Sequence, residues 1–327
     1  MSDVTTPILQ VQDLKVEFHT ESGVVQAVNG VSFDLYPGET LGIVGESGSG
    51  KSVTNLTLMG LIPQPPGRVG GGQVLYDGRN ILGLTQRQWQ EIRGKKIAMI
   101  FQDPMMTLNP VLRIETQMIE SILTHDSSIS KEEARQRSRD TLGLVGISSP
   151  EERMRAYPHQ FSGGMRQRVS IAIAMLNRPD LIIADEPTTA LDVTIQGQVI
   201  HEMQQLCEST KTALLWITHD LAVVAGISKR ICVMYAGRIV EQGPNEALIG
   251  NPLHPYTNGL LGSVPSQNRR GEPLRQIEGI VPSLLHLPVG CAFENRCDNV
   301  VSECSISAPD EELLDDARII RCYNKVN

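Results

Sequence analysis

The chain has 327 residues, 40% hydrophobic and 20% charged, an ordinary globular composition that excludes collagen, a coiled coil and wholesale disorder. Its formal net charge of −8 opposes broad binding to a nucleic-acid backbone, which depends on an excess of basic residues. No apolar run reaches the roughly 18 residues of a membrane-spanning helix, and the opening MSDVTTPILQ lacks a signal-peptide pattern. We expect a cytosolic protein of about two domains with only local anion sites.

Hydrophobic periodicity predicts strands that alternate with helices. In chain order the predicted elements are an opening pair of strands within 9–35, a strand at 41–45, a helix at 52–62, a strand at 97–101, helices at about 113–124 and 131–145, a helix at 165–176, and strands at 181–184 and 213–218. This alternation predicts a parallel α/β sheet. From residue 251 the periodicity fades into a Pro-rich tail that contains cysteines, which we assign to a separate module.

A phosphate-binding motif joins the strand at 41–45 to the helix that follows. The sequence GESGSGKS at 45–52 matches G-x-x-x-x-G-K-[ST] in the required strand, loop and helix setting. In such a loop the backbone N–H groups point inward, the lysine reaches the β- and γ-phosphates and the final hydroxyl ligates Mg²⁺. A Gly/Ser turn that merely enters a helix is the structural alternative. The candidate residues are Gly45, Ser47, Gly48, Gly50, Lys51 and Ser52.

An acidic pair, Asp185 and Glu186, ends the apolar run at 181–184. Burying two adjacent carboxylates is costly unless the protein uses them. Asp185 is placed to hold the hydration shell of Mg²⁺, and Glu186 to polarise the attacking water. The alternative is a pair that caps the helix after Pro187.

A glycine motif at a helix start introduces a resemblance to a known family. Ser162, Gly163 and Gly164 lie between the phosphate loop and the acidic pair. They resemble the signature of ATP-binding cassette (ABC) ATPases, with Phe161 and Met165 where that family commonly has Leu and Gln. There the segment reaches across a dimer to the γ-phosphate on the partner, so a helix N-terminus again binds an anion. The resemblance implies an α/β P-loop NTPase fold of the ABC ATPase type, with an N-terminal antiparallel β subdomain, an inserted α-helical subdomain and a small C-terminal module with cysteines.

Further motifs follow in the family's order. The resemblance implies that Gln102 is the Q-loop residue that senses Mg²⁺ and water, that residues 190–192 form the D-loop, and that His219 is the switch histidine at the γ-phosphate. Phe18 is our candidate for stacking on adenine; the alternatives are that it is an ordinary strand residue or that His19 has this role. The catalytic candidates are Glu186, His219 and Gln102; the Mg²⁺ candidates are Ser52, Gln102 and Asp185; the other nucleotide contacts are Phe18, Ser162, Gly163, Gly164 and Asp192.

A narrower resemblance follows from YPHQ at 157–160, ADEPTTALDVTIQ at 184–196 and HPYT at 254–257. These segments are similar to the oligopeptide/dipeptide permease family of bacterial importers, in its dipeptide-type D subunits. The resemblance implies an ATPase at the cytoplasmic face of the inner membrane that energises uptake of di- or oligopeptides or related small solutes. It implies a paralogous ATPase subunit as heterodimer partner, or a homodimer in isolation. It also implies two transmembrane permeases, an extracytoplasmic solute-binding protein and no nucleic acid.

Two rival functions stay open at this point. One is a soluble ABC ATPase of DNA repair or translation, which the acidic balance and the single cassette disfavour. The other is a regulatory module that does not hydrolyse ATP, which Glu186 and His219 disfavour. We expect a nucleotide-binding core at 1–102 and 161–250, a helical subdomain that contacts a permease at 103–160, and a C-terminal module at 251–327. A surface elaboration is the alternative for 103–160.

The predicted C-terminal module contains Cys291, Cys297, Cys304 and Cys322. Their spacing matches neither the paired zinc pattern nor the ferredoxin runs. Four soft ligands in a short tail still suggest a metal staple, because such a tail lacks a core of its own. The resemblance implies a [4Fe–4S] cluster first and structural Zn²⁺ second. Unligated thiols are the alternative.

Overall fold

The computed structural model describes residues 6–189, 191–264, 268 and 275–326. The strands are β1 (Leu9–Thr20), β2 (Gly23–Leu35), β3 (Thr40–Val44), β4 (Gly67–Tyr76), β5 (Arg79–Asn80), β6 (Ile97–Ile100), β7 (Leu181–Asp185), β8 (Ala213–Thr218), β9 (Arg230–Tyr235), β10 (Arg238–Pro244), β11 (Glu312–Leu313) and β12 (Ile319–Ile320). The α-helices are α1 (Lys51–Leu58), α2 (Gln86–Ile92), α3 (Ile114–His125), α4 (Lys131–Leu144), α5 (Pro150–Met154), α6 (Gly163–Met175), α7 (Val193–Thr210), α8 (Leu221–Ile227), α9 (Asn245–Gly250), α10 (Pro255–Gly262) and α11 (Glu303–Ile306). Within the described ranges, no helix is long and apolar enough to span a bilayer.

The chain forms two compact units whose segments alternate along the sequence. Unit 1 comprises the described residues of 1–8, 36–39 and 83–217. Unit 2 comprises 9–35, 40–82 and the described residues of 218–327. Each unit therefore combines segments that are distant in sequence, and we describe each in turn.

Unit 2 begins with a four-stranded antiparallel sheet in the order β2-β1-β4-β5. The opening pair of strands was predicted and is confirmed. Its alternation slips because the pairing of β1 with β2 shifts register between Val11 and Leu14, as a bulge does. Strand β4 was not predicted. Its sequence, GRVGGGQVLY, is rich in glycine, which is depleted in strands.

A second set of strands in unit 2 includes the end of the chain. Strand β3 pairs in parallel with β9, β9 pairs antiparallel with β10, and β10 pairs with β12 through Glu241 opposite Ile320. Helix α8 packs closely on β3, since a Cβ on Gly42 would lie 2.1 Å from Val224 Cγ1. The tail thus adds a strand beside β10 and is tied into the sheet.

Unit 1 contains three parallel strands in the order β8-β7-β6. Every residue of β7 and β8 is buried, which confirms the prediction from their continuous apolar runs. Helices α3 and α4 lie within two residues of the predicted ranges, and α4 packs against α3 and α6. Arg168 of α6 donates to the Val145 carbonyl oxygen at 2.6 Å and pairs with Glu202 of α7. This buried guanidinium fixes the inserted helices to α6 and α7.

Candidate nucleotide site

The glycines of the predicted phosphate loop are enclosed on one side and open on the other. A Cβ on Gly45 would lie 2.1 Å from the Met234 carbonyl oxygen, and one on Gly50 would lie 2.4 Å from that of Ala27. Gly50 also has φ of 101°, which favours glycine. At Gly48 an added Cβ would meet nothing within 4 Å. The loop is therefore supported from behind and presents open space in front, as a phosphate cradle requires.

Lys51 lies inside this loop. Its Nζ donates to the Gly45 carbonyl oxygen at 2.7 Å, to the Glu46 carbonyl oxygen at 3.0 Å and to Ser49 Oγ at 3.3 Å. The side chain is buried, whereas Ser52, the next residue of α1, is exposed. An ionised phosphate is a stronger acceptor than a carbonyl oxygen. The loop thus has the donor set and the space that a triphosphate needs.

The acidic pair lies where β7 ends in unit 1. Asp185 is 8% exposed, and Glu186 has φ of 45°, a strained value for a residue with a side chain. The Glu186 N–H donates to the Ile217 carbonyl oxygen at 2.8 Å. Glu186 Oε2 accepts hydrogen bonds from Gln102 Nε2 at 3.2 Å and Thr189 Oγ1 at 3.0 Å. The structure therefore brings two of the three catalytic candidates together and orients the carboxylate.

The predicted signature opens helix α6. Ser162 is its N-cap, and its Oγ accepts from the Met165 N–H at 3.3 Å. Ser162 and Gly163 are exposed, and a Cβ on Gly163 would meet nothing within 4 Å. Because free N–H groups and the helix dipole favour an anion at such a position, this helix start can bind a phosphate that approaches from outside.

A second helix begins beside the signature. A Cβ on Gly164 would lie 2.7 Å from Ile195 Cγ2, so the starts of α6 and α7 pack closely. Asp192 caps α7, since its Oδ1 accepts from the Ile195 N–H at 3.0 Å. The next residue, Val193, is 85% exposed. Ala190 of the predicted D-loop lies outside the described residues.

Unit 2 holds the other candidates. His219 follows β8 and is exposed. Phe18 is half-buried in β1, with Cε1 3.1 Å from the position of a Cβ on Gly67. His19 is exposed, and its Nε2 lies 2.8 Å from Glu17 Oε1. The choice between Phe18 and His19 for adenine stays a prediction.

Comparison with known proteins identifies the family. Residues 28–189 match the family model described as ABC transporter, and residues 240–304 match that described as oligopeptide/dipeptide transporter, C-terminal region. The dipeptide transport ATP-binding protein DppD of Bacillus subtilis is 48% identical over 316 residues, which are 97% of this chain and 94% of that protein. The chain belongs to the oligopeptide/dipeptide branch of the ABC transporter family. The oligopeptide transport ATP-binding protein OppD of Escherichia coli is likewise 48% identical over 319 residues, 98% of this chain and 94% of that protein.

Solved structures agree with this ABC transporter assignment. The chain is 26% identical to the dimeric ATP-binding cassette MJ0796 in a post-hydrolysis state bound to ADP and Pi, with a TM-score of 0.65. The likeness covers 72% of this chain and 98% of that cassette. The predicted ABC ATPase fold is therefore confirmed.

The C-terminal cysteines of this ABC transporter chain are neighbours. The Cys291 N–H donates to the Cys304 carbonyl oxygen at 2.7 Å. Burial, and then the nearby thiols, raise the pKa of Cys291 and Cys297, and that of Cys322 to about 11. Yet across the described residues no group of three or more His, Cys, Asp and Glu could hold a metal ion. The thiols as arranged do not fit the predicted [4Fe–4S] cluster or zinc site, and that prediction gains no support.

Sequence patterns missed the residues that support the loop from the tail. The Tyr256 hydroxyl accepts from the Glu46 N–H at 2.8 Å, and Arg296 pairs with the Glu46 carboxylate at 2.6 Å. Glu46 occupies a variable position of the loop motif, so the motif alone gives it no role. The charge of Glu46 beside a phosphate site was a signal for Arg296, because a carboxylate there calls for a neutralising partner.

Proposed function

We propose that this chain is the ATP-hydrolysing subunit of a bacterial importer that takes up di- or oligopeptides or related small solutes. Its relatives carry the names of dipeptide and oligopeptide transport ATP-binding proteins. The observation that carries the proposal is that one chain contains both a complete phosphate loop around Lys51 and a solvent-open helix start at Gly163. The first binds a nucleotide, and the second is available to the nucleotide of a partner.

In the proposed site the loop binds the triphosphate. Lys51 exchanges its carbonyl contacts for the β- and γ-phosphates, and the inward N–H groups add hydrogen bonds without a change of fold. We assign Ser52, Asp185 and Gln102 as the residues that would hold Mg²⁺. The cation, when bound, supplies neutralisation of the phosphate charge. Oxygen donors of this kind are those that Mg²⁺ prefers.

Glu186 is the proposed general base. Its carboxylate accepts the proton of the attacking water, while Gln102 and Thr189 fix its direction through the hydrogen bonds at 3.2 and 3.0 Å. The strained backbone at Glu186 supports a functional role, because such strain persists where the surrounding structure imposes it. His219 is proposed to contact the γ-phosphate.

The proposed partner is a second ATPase subunit. Ser162, Gly163 and Gly164 of each chain would cover the γ-phosphate bound by the other, with Asp192 beside them. We propose a paralogous subunit in the cell and a homodimer in isolation.

The remaining partners follow from the same family. We propose attachment at the cytoplasmic face of the inner membrane, under two permeases that receive the solute from an extracytoplasmic binding protein. Residues 103–160 would contact a permease, 1–102 with 161–250 would form the nucleotide-binding core, and 251–327 the C-terminal module. We propose no metal-binding role for the four cysteines. Iron, sulfide and zinc analysis of anaerobically purified protein tests this point.

One variant tests both the chemistry and the assembly. Glu186→Gln keeps the hydrogen bonds but removes the base, so we expect unchanged ATP affinity and a turnover reduced about 10²–10⁴-fold. Since hydrolysis is blocked, ATP should hold the tagged variant in complexes that copurify with integral membrane proteins. Copurification with ribosomes or DNA instead would favour the soluble ATPase of DNA repair or translation. Normal turnover would refute the role of Glu186.

A further inference from the structure

A partly buried ion pair joins the tail of the chain to its phosphate loop. Arg296 Nη1 donates to Glu46 Oε2 at 2.6 Å, and Nη2 donates to Glu46 Oε1 at 3.0 Å. The Arg296 side chain is 4% exposed and that of Glu46 31%. Two parallel charge-assisted bonds of this kind define direction as well as distance. The carboxylate of Glu46 is therefore held in one orientation beside the loop.

The guanidinium is itself fixed by its surroundings. Arg296 Nε donates to the Glu278 carbonyl oxygen at 2.9 Å, Nη2 to that of Ile277 at 3.3 Å, and Nη1 to the Tyr235 hydroxyl at 3.3 Å. These partners use its donors fully, so the side chain cannot swing away at low cost. Arg296 is thus a rigid contact between the tail and the loop.

The backbone of the loop is held at the same residue. The Tyr256 hydroxyl accepts the Glu46 N–H at 2.8 Å, and the Glu46 carbonyl oxygen accepts from Lys51 Nζ at 3.0 Å. Tyr256 is fully buried in α10. Tail residues therefore fix both the backbone and the side chain of Glu46, which in turn contacts the phosphate-binding lysine.

The pair of Arg296 and Glu46 also affects the charge that a bound triphosphate meets. An unpaired carboxylate next to a triphosphate would repel it, because like charges at short range oppose binding. The bidentate bonds to Glu46 raise the pKa of Arg296 above its ordinary value, so the guanidinium stays charged and neutralises the carboxylate. Removing Arg296 would both release the loop and leave a bare negative charge beside the ligand.

We propose that Arg296 is a positioning residue of the phosphate loop, through which the C-terminal tail sets the affinity of the chain for ATP. The proposal rests on the nucleotide site described above and goes beyond it, because it gives the tail a role in nucleotide binding. By thermodynamic linkage, bound ATP must stabilise the docked tail to the extent that the docked tail favours ATP.

Titration of full-length chains with a fluorescent ATP analogue tests the proposal. We expect Arg296→Met to weaken binding about tenfold or more, because it leaves the partly buried carboxylate of Glu46 unpaired beside the triphosphate. Glu46→Gln alone should change affinity less than about threefold, since the amide carries no repulsive charge and its oxygen still accepts from Arg296, whose bonds to Glu278, Ile277 and Tyr235 remain. The double variant Glu46→Gln/Arg296→Met should bind more tightly than Arg296→Met, because the bare charge is gone, and more weakly than the wild type, because the loop is still released. Arg321→Met is the matched control, because Arg321 pairs with Glu311 at 2.9 Å in the same tail and should leave binding unchanged.

The pattern of variants separates positioning from mere folding of the tail. If the double variant binds as weakly as Arg296→Met, or if Arg296→Met binds like the wild type, the proposal is overturned. Should Arg296→Met fail to fold, Arg296→Lys, which keeps charge but loses the bidentate fork, should bind two- to tenfold more weakly than wild type, and wild-type affinity would overturn the proposal. Failure of wild-type chain to bind the analogue would instead refute the nucleotide site.

Hydrogen exchange supplies a readout that does not depend on turnover. In the wild type we expect ATP to slow amide exchange in residues 277–306, because ligand binding stabilises the docked tail. In Arg296→Met this protection should disappear, while exchange in residues 163–175, which lie in the other unit, should respond as in wild type. Equal protection of the tail in both proteins would contradict the coupling.

Discussion

The two anion-binding helix starts of this chain differ in how they are completed. At the phosphate loop, Tyr256 and Arg296 fix Glu46, and Lys51 is buried inside the loop. At the signature, Ser162 caps the helix locally, and an added Cβ on Gly163 would meet nothing within 4 Å. The same chain thus supplies one finished half-site and one that lacks its ligand side.

In the proposed dimer, this difference would explain why two copies serve one reaction. The phosphate loop can bind ATP within a single chain, since its backbone N–H donors and the charged Lys51 are in place before the ligand arrives. The start of α6 at Gly163 is open to solvent. Its helix dipole would therefore act on the phosphate of a nucleotide that is bound to another molecule. We infer that nucleotide binding is a property of one chain and hydrolysis a property of a pair.

The largest loss of ATP hydrolysis is expected when a negative charge is placed at the open start of α6. Gly163→Asp should leave the fold intact, since its Cβ meets open space and an acidic residue suits a helix start. Its carboxylate would repel the partner's γ-phosphate, so we expect hydrolysis to fall about 10²-fold or more, as when an anion-hole donor is lost. Binding of the fluorescent analogue by the single chain should not change.

Gly163→Ala is the matched control for this variant. It adds a Cβ without a charge and should hydrolyse ATP at near the wild-type rate. Equal rates for the aspartate and alanine variants would show that the helix start does not meet phosphate.

A smaller effect is expected from acid at His254, which contacts Tyr256 behind the phosphate loop, and it is an effect on stability. His254 is fully buried, its Nδ1 accepts from the Tyr256 N–H at 3.0 Å, and burial lowers its pKa from 6.5 to about 3. Because the folded pKa lies below the unfolded one, stability is complete above about pH 6.5 and is lost as the pH falls toward 3, by up to about 5 kcal/mol. Charged groups packed here are Glu241, which accepts the His254 N–H at 3.0 Å, and Arg318.

The measurement is chemical unfolding followed between pH 7 and 4. His254→Asn keeps an acceptor for the Tyr256 N–H but does not titrate, so its stability should fall less than that of wild type over this interval. Parallel curves for the two proteins would contradict the assignment. In wild type, exchange at the loop should rise with acid before exchange at the start of α6.

Local chemistry decided which parts of this account could be predicted. The phosphate loop and β7 were found from sequence, because glycine conformations, a helix start and a buried apolar run depend on neighbouring residues. The pair of Glu46 and Arg296 was not found, because its members are 250 positions apart and neither lies at an invariant motif position. Four cysteines in a short tail suggested metal ligands, but the sequence could not fix the direction of any thiol, and the described cysteines do not form a metal site.

The most direct test of the central claim is a mixing experiment with the isolated chain. Lys51→Ala lacks the charged side chain of the phosphate loop, and Gly163→Asp has a signature that repels phosphate. Each variant alone should therefore hydrolyse almost no ATP. In a mixed dimer one site combines the intact loop of one chain with the intact signature of the other, and an equimolar mixture should recover up to about a quarter of wild-type activity. If each chain used its own signature, no mixture would recover any activity, and the account of shared sites would be wrong.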